Sequence, residues 1–263
     1  MKLVLHTLRL NHKNRDVIKK LVELIPNKSL YATSEIASHF NIKKSALSGD
    51  IIIAIGGDGT TLATEDSLDK ETPILPVHTG QVGFLSEIGP DDLDEKIPRL
   101  LKKKYKIEKR KKIDAILNGK KIGDALNEVI IMSARSIKTC VLEVRIGGKV
   151  FETFEGDGVI IATPTGSTAY ALSVGGPIMD PNTEALLVVP VSPYTLKARP
   201  LVFPSKSKAE IRLKEGRCYI GIDGQKLGEF TKVDSIILKQ SRTAAKLVRF
   251  GEAFYNKLDT LVR

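Results

Sequence analysis

Tryptophan is absent, aromatic residues make up only 5% of the chain, and there are just two cysteines, Cys140 and Cys218. Two thiols without metal-ligand spacing exclude a cysteine-built metal site, and they could pair only if the fold brings them together. A reduced, cytoplasmic setting is therefore expected. No apolar run is long enough to cross a membrane, and the Met1-Lys2-Leu3-Val4-Leu5 opening is cut short by His6, Arg9 and Lys13. That start reads as a first strand, with no full signal-peptide core. Two common nucleotide fingerprints are also missing. Without Gly-x-x-x-x-Gly-Lys-Ser/Thr the chain is not a P-loop kinase, and without Gly-x-Gly-x-x-Gly it is not a standard dinucleotide oxidoreductase.

What is present is the composition of a globular protein, with 42% hydrophobic and 27% charged residues in 263 positions and a formal net charge of +10. The excess is concentrated at Lys102-Lys103-Lys104, Lys106, Lys109, Arg110, Lys111 and Lys112, opposed only by Glu108. Leu100, Leu101, Tyr105 and Ile107 interleave with it as a buried side, so the run reads as a solvated face. With so few aromatics and no recognition motif, no nucleic-acid partner is expected, and salt-sensitive binding to arbitrary duplexes would be needed to revive one.

The first hundred residues alternate strand and helix signals. Strands are expected at Lys2 to Leu8, Ser29 to Ala32, Ile51 to Ile55 and Pro73 to Val77. Helices are expected at Asn14 to Ile25, Ser34 to Asn41 and Asp91 to Lys103, the last begun by acids and ended by lysines as its dipole prefers. Such βα alternation implies a largely parallel sheet. After about residue 108 the texture turns to β, in Ile107 to Leu117, Ala125 to Ser133, Thr139 to Ile146, Lys149 to Phe154, Val159 to Ala162, Lys208 to Leu213, Arg217 to Ile222 and Ser235 to Lys239. Asn118-Gly119-Lys120 and Gly147-Gly148-Lys149 read as hairpin turns. One helix is expected from Thr168-Ala169-Tyr170, and helical periodicity returns from Glu252 to Val262.

The densest signal is Ile51-Ile52-Ile53-Ala54-Ile55 running into Gly56-Gly57-Asp58-Gly59-Thr60. A buried strand that stops at glycines delivers a tight loop whose N–H groups can approach a phosphate chain. A single acid between the glycines suits phosphoryl transfer to a hydroxyl, with Asp58 taking the proton. A second constellation, Asp157 through Tyr170, ends an apolar strand in Thr163-Pro164-Thr165-Gly166-Ser167-Thr168. Its hydroxyls and free N–H groups suit a phosphate or ribose, and exceed what capping one helix requires.

These blocks, with Gly80-Gln81-Val82-Gly83-Phe84-Leu85, Asn127-Glu128, Arg199-Pro200-Leu201-Val202 and Asp223-Gly224-Gln225, resemble the NAD kinase family in order and spacing. The glycine–acid loop alone is shared with lipid kinases of the diacylglycerol and sphingosine type; the Thr-Pro-Thr-Gly-Ser-Thr-Ala-Tyr block is not. The resemblance implies a Rossmann-like α/β domain over 1–108, a β-sandwich domain over 109–240, and a segment over 241–263 that packs back on the first domain. It implies transfer from ATP, or polyphosphate, to the 2′-hydroxyl of the adenosine ribose of NAD, and NAD held between the domains. Asp58 matches the catalytic base, and Gly56, Gly57, Gly59, Thr60 and Phe84 match residues beside the nucleotide. Asn127 and Glu128 match the pair holding the adenosine, with the carboxylate accepting from ribose hydroxyls. Asp157 matches the acid at the nicotinamide end. Thr168, Ala169, Tyr170, Ala171, Leu172 and Ser173 match the segment lining the dinucleotide, with Tyr170 as a stacking surface. Gln225, Lys138 and Ser192 match further ligand-side positions. The family's habit implies a homodimer or homotetramer, and the cation is magnesium carried with the nucleotide, since no metal-ligand cluster is visible.

Overall fold

The computed structural model describes residues 1–68, 71–135, 138–251 and 254–261. The chain divides into two compact units, Met1–Lys109 with Ala245–Arg263, and Arg110–Ala244. In chain order the strands are β1 (Leu3–His6), β2 (Leu30–Ala32), β3 (Lys43–Lys44), β4 (Ile51–Ile55), β5 (Ile74–Val77), β6 (Lys106–Leu117), β7 (Lys120–Ala125), β8 (Glu128–Ser133) and β9 (Cys140–Ile146). They continue as β10 (Lys149–Gly156), β11 (Gly158–Ala162), β12 (Ala185–Val191), β13 (Leu201–Pro204), β14 (Ala209–Glu215), β15 (Cys218–Ile222), β16 (Gln225–Phe230) and β17 (Ser235–Arg249). The helices are α1 (His12–Leu24), α2 (Ser34–Phe40), α3 (Asp58–Asp66), α4 (Leu93–Leu101), α5 (Tyr170–Ser173) and α6 (Phe254–Leu261).

In the first unit the order is β17–β5–β4–β1–β2–β3, with parallel pairing throughout. All five residues of β4 are buried, which is why its sequence is unbroken Ile and Ala: a central parallel strand has no wet face. α1 begins where the Asn11 side chain accepts the Asn14 N–H at 3.0 Å, and Val17, Ile18 and Leu21 carry its buried stripe into the core. The expected helix over Asp91 to Lys103 starts as a 3₁₀ turn at Pro90–Asp92 and becomes α4 at Leu93. The final helix is described from Phe254; its expected ends, Glu252 and Val262, lie outside the described residues.

The second unit is a β-sandwich. One antiparallel sheet runs β13–β12–β11–β8–β15–β16, and facing it are β10–β9–β14–β17 with the β6–β7 hairpin. Along β11, Val159 and Ile161 point into the core between the sheets, while Ile160 and Ala162 join a second cluster with Ala171, Leu187 and Val189. Both faces are covered, so this antiparallel strand also reads as a continuous apolar run. Cys140 and Cys218 are free, buried thiols in hydrogen-bond contact; that bond and burial push the Cys218 thiol up.

Several expectations change. Within the basic run read as a solvated face, Arg110 and Lys112 are buried, while Ile107, placed on its buried side, is exposed. The run Ala125 to Ser133 is broken at Leu126-Asn127, which separates β7 from β8. The strand expected over Ser235 to Lys239 continues to Arg249.

Candidate active site

β4 ends at Gly56, whose φ of 151° and close approach to Thr60 leave no room for a side chain: a Cβ would sit 2.3 Å from Thr60 Oγ1. Gly57 then caps α3, and Asp58 is the first residue of that helix. Nothing lies within 4 Å of where a Cβ would project from Gly57 or Gly59, so the outer face of the loop is open backbone beside a helix N-terminus. This loop occupies the carboxyl end of the parallel strands. Beside it, the buried Asn14 amide donates to Thr7 Oγ1 (2.9 Å) and the Arg9 carbonyl (2.7 Å) and accepts from Thr79 Oγ1 (2.7 Å), joining the turns after β1 and β5.

The Asp58 carboxylate is held by the segment 83–86. The Leu85 N–H lies 3.2 Å from both of its oxygens, and the Ser86 hydroxyl donates to Oδ1 at 3.4 Å. Gly83 lies so close that a Cβ there would meet Oδ1 at 2.2 Å. The segment is fastened from the C-terminal part of the unit. Arg249 donates to the Leu85 carbonyl (3.0 Å), the Ser86 carbonyl (3.4 Å), Glu87 (3.0 Å) and Glu108 (2.7 Å). Phe250 N–H donates to Glu87 at 2.6 Å, and Lys257 donates to the Phe84 carbonyl at 3.1 Å and to that of Ser86. Phe84 turns its ring toward Phe254.

In the second unit, three separate motifs arrive at one edge of the six-stranded sheet. Glu128 opens β8, Ala162 closes β11 opposite it, and Ile222 closes β15 opposite Val129. The turn Leu126–Glu128 is gripped by Asp223, whose carboxylate accepts the N–H groups of Leu126 (2.6 Å), Asn127 (2.9 Å) and Glu128 (2.9 Å). Thr163 N–H donates to the Asn127 carbonyl at 2.9 Å, and Gly166 packs so tightly there that a Cβ would lie 2.1 Å from that oxygen. Glu128 is buried, and one of its carboxyl oxygens has no partner. Burial, with Asp223's charge, pushes its pKa up to about 8. At neutral pH it therefore carries a proton and can donate, where the sequence suggested an accepting carboxylate.

The hydroxyls of the second constellation are largely spent on the turn itself. Thr163 donates to the Leu126 carbonyl (2.6 Å), Ser167 to that of Pro164 (2.7 Å), and Thr168 to that of Thr165 (3.2 Å). Arg110 donates to Thr165 Oγ1 at 3.4 Å. The helix expected there is a 3₁₀ turn, Gly166–Thr168, followed by the single turn α5. On α5, Tyr170 and Ser173 are exposed, Leu172 is half-buried, and Ala171 belongs to the core; Ala169 is half-buried just before it. Asp157, Ser192 and Lys138 are exposed at the opposite end of the sheet, where Gly158 pairs with Val191 and Met132, and Ser133 Oγ donates to the Lys138 carbonyl at 2.5 Å. At about 3.4 Å per residue, β11 separates them from the Asn127 edge by about 14 Å. Gln225 opens β16 and is exposed. Sequence reasoning missed Ser86, Glu87, Arg249, Lys257 and Asp223. Ser86 and Asp223 adjoin or lie within matched blocks; nothing local marks Arg249 or Lys257.

A glycine-bounded acid opening the helix after a parallel strand, with a separate recognition edge on a β-sandwich, defines a two-domain nucleotide phosphotransferase. The family models described as ATP-NAD kinase N-terminal domain and ATP-NAD kinase C-terminal domain match residues 11–105 and 126–250. The chain belongs to the NAD kinase family. It is 40% identical over 260 residues to an NAD kinase of Thermococcus sibiricus, covering 95% of this chain and 92% of that one. It is 41% identical over 215 residues to an NAD kinase of Methanothermobacter thermautotrophicus, covering 81% and 76%. The fold matches yeast NADH kinase complexed with NADH at a TM-score of 0.92 and 22% identity, over 100% of this chain and 87% of that chain. An NAD kinase from Archaeoglobus fulgidus in complex with ATP matches at 0.79 and 24%, over 99% and 98%.

Proposed function

We propose that this chain transfers the γ-phosphoryl group of ATP to the 2′-hydroxyl of the adenosine ribose of NAD, giving NADP and ADP. The observation that carries the reading is Asp58, an acid fixed by Leu85 and Ser86 beside open, N–H-rich backbone. Asp58 accepts the hydroxyl proton as the oxygen attacks, and the N–H groups at the start of α3 offset charge on the transferring group. Among the described residues no group of three or more His, Cys, Asp or Glu is arranged to hold a metal. A divalent cation would be carried on the ATP phosphates, where its chemistry is charge neutralisation.

Asn127 offers an amide to the adenine edge and Glu128 a carboxyl to the ribose, while Tyr170 supplies a stacking face. Asp157, Ser192 and Lys138, about 14 Å along β11, serve the nicotinamide end, a spacing that suits an extended dinucleotide better than a mononucleotide. Gln225 completes the adenosine edge. This reading carries with it a cytoplasmic setting, where two buried thiols stay reduced, and a homodimer or homotetramer.

A coupled assay tests it: purified protein with NAD, magnesium and either ATP or polyphosphate, with NADP read by an NADP-specific dehydrogenase. NADP should form, and Asp58→Asn should lower turnover at least ~10²-fold with NAD binding retained. Near-normal turnover in that variant removes Asp58 from the role of base. NADP absent with both donors, but NADPH formed from NADH, would reassign the acceptor.

A further inference from the structure

We infer that Asp223 is a positioning residue for the dinucleotide: its carboxylate builds the turn that presents Asn127 and Glu128. The inference rests on the NAD kinase reading above and adds a residue outside the ligand-facing set.

Between the end of β7 and the start of β8 the chain leaves the ladder, so the N–H groups of Leu126, Asn127 and Glu128 need another acceptor. All three find it in one side chain, 97 to 95 residues away: Leu126 on Oδ2, Asn127 and Glu128 on Oδ1. Consecutive N–H groups converging on an anion form the concavity that backbone otherwise offers to phosphates. The Asp223 N–H answers with a 3.1 Å bond to the Glu128 carbonyl, so turn and hairpin are tied in both directions.

The hairpin alone does not require an acid. Asp223 and Gly224 have φ of 44° and 81°, the pattern of a two-residue turn that Asn or Gly fills at least as well. A carboxylate kept in the left-handed region and pulled partly out of water has a reason only in what it accepts. Burial raises its pKa and the three N–H bonds oppose that rise, with Lys112 adding a favourable charge. Both oxygens are occupied by backbone, so Asp223 acts through Asn127 and Glu128. An amide cannot substitute fully: Asn would keep the oxygen shared by Asn127 and Glu128 but turn an N–H₂ group toward the Leu126 N–H.

Two full-length variants test this. Asp223→Gly deletes the carboxylate while relieving the left-handed backbone, and Asp223→Asn keeps shape and half of the acceptors. The readouts are KM and kcat for NAD in the coupled assay, and hydrogen exchange of the peptide containing 126–128. For Asp223→Gly we expect KM to rise at least ~10-fold with kcat within ~3-fold, the pattern of lost ground-state binding, and faster exchange of those amides. Asp223→Asn should lie between it and the wild type, and carries the test if the glycine variant does not fold. A general loss of packing would lower thermal stability and leave KM unmoved. An unchanged KM in a wild-type-active background, or continued protection of 126–128, overturns the inference. A wild type that makes no NADP instead overturns the reading beneath it.

Discussion

Glu128→Gln should make the protein more stable at alkaline pH. In the folded chain Glu128 holds its proton to about pH 8, against an ordinary value of 4.5, because it is buried and faces the charge of Asp223. Below pH 4.5 folded and unfolded chains both hold that proton, and its contribution is flat. Between there and pH 8 the unfolded chain has released it while the folded chain has not, so stability falls as pH rises. Above pH 8 both states are ionised and the loss is complete. The interval spans about three and a half pH units at about 1.4 kcal/mol each, a ceiling of about 5 kcal/mol. Relaxation of the turn and entry of water bring the expectation to roughly 3–5 kcal/mol. Glutamine keeps the shape and has no proton to lose. Urea unfolding of both proteins at intervals from pH 5 to pH 9 isolates the term, since every other titrating group is common to the two. The variant's stability relative to wild type should climb from pH 5 to about pH 8 and level off above it. A difference constant to within about 1 kcal/mol would refute the assignment of a raised pKa to this carboxyl.

Other consequences concern how Asp58 is held. Gly83→Ala places a methyl 2.2 Å from Asp58 Oδ1, so the carboxylate must move, and kcat should fall about 10²-fold while KM for NAD changes little. Steady-state kinetics with kcat intact would show that Asp58 need not sit where Leu85 and Ser86 hold it. Arg249→Met leaves Glu87 buried without its cation and frees the carbonyls of Leu85 and Ser86. It should cost about 3–5 kcal/mol in unfolding free energy. Arg249→Lys should rescue little, because an ammonium lacks the fork that reaches Glu87 and Glu108 together. A melting temperature unchanged in Arg249→Met would refute the account.

The sequence made the central strands legible because burial on both faces writes itself as composition, as in β4 and β11. Turns with left-handed residues were equally plain: Asn118-Gly119 and Gly147-Gly148 take the positive φ that their residue types announce. The Gly-Gly-Asp-Gly-Thr loop announced its acid. What the sequence hid lay in partners far along the chain. Ala125 to Ser133 is apolar enough to look like one strand, and it breaks where Asp223 draws three N–H groups away from the ladder. The far half of β17 carries Ser241, Arg242 and Thr243, poor strand advertisements, yet it ends by pairing Leu247 with Ile74. Hydroxyl richness at 163–168 looked like ligand chemistry, and much of it proved to be the turn satisfying its own carbonyls. Arg249 could not be found from its neighbours, since its partners at Leu85 and Ser86 lie 164 and 163 residues upstream.

The first unit is assembled from both ends of the chain, with Val248 in its core and Arg249 behind the segment that holds Asp58. During synthesis on a ribosome, the second unit has all its residues before the first can close. Asp58 therefore gains the full support of its holding segment only once Arg249 and Lys257 have emerged. A product stopped short of Ala245 would retain the Asn127 and Asp223 edge but lack the strap behind Ser86. Chain order thus couples the support of Asp58 to the completion of β17, which comes after all residues of the second unit.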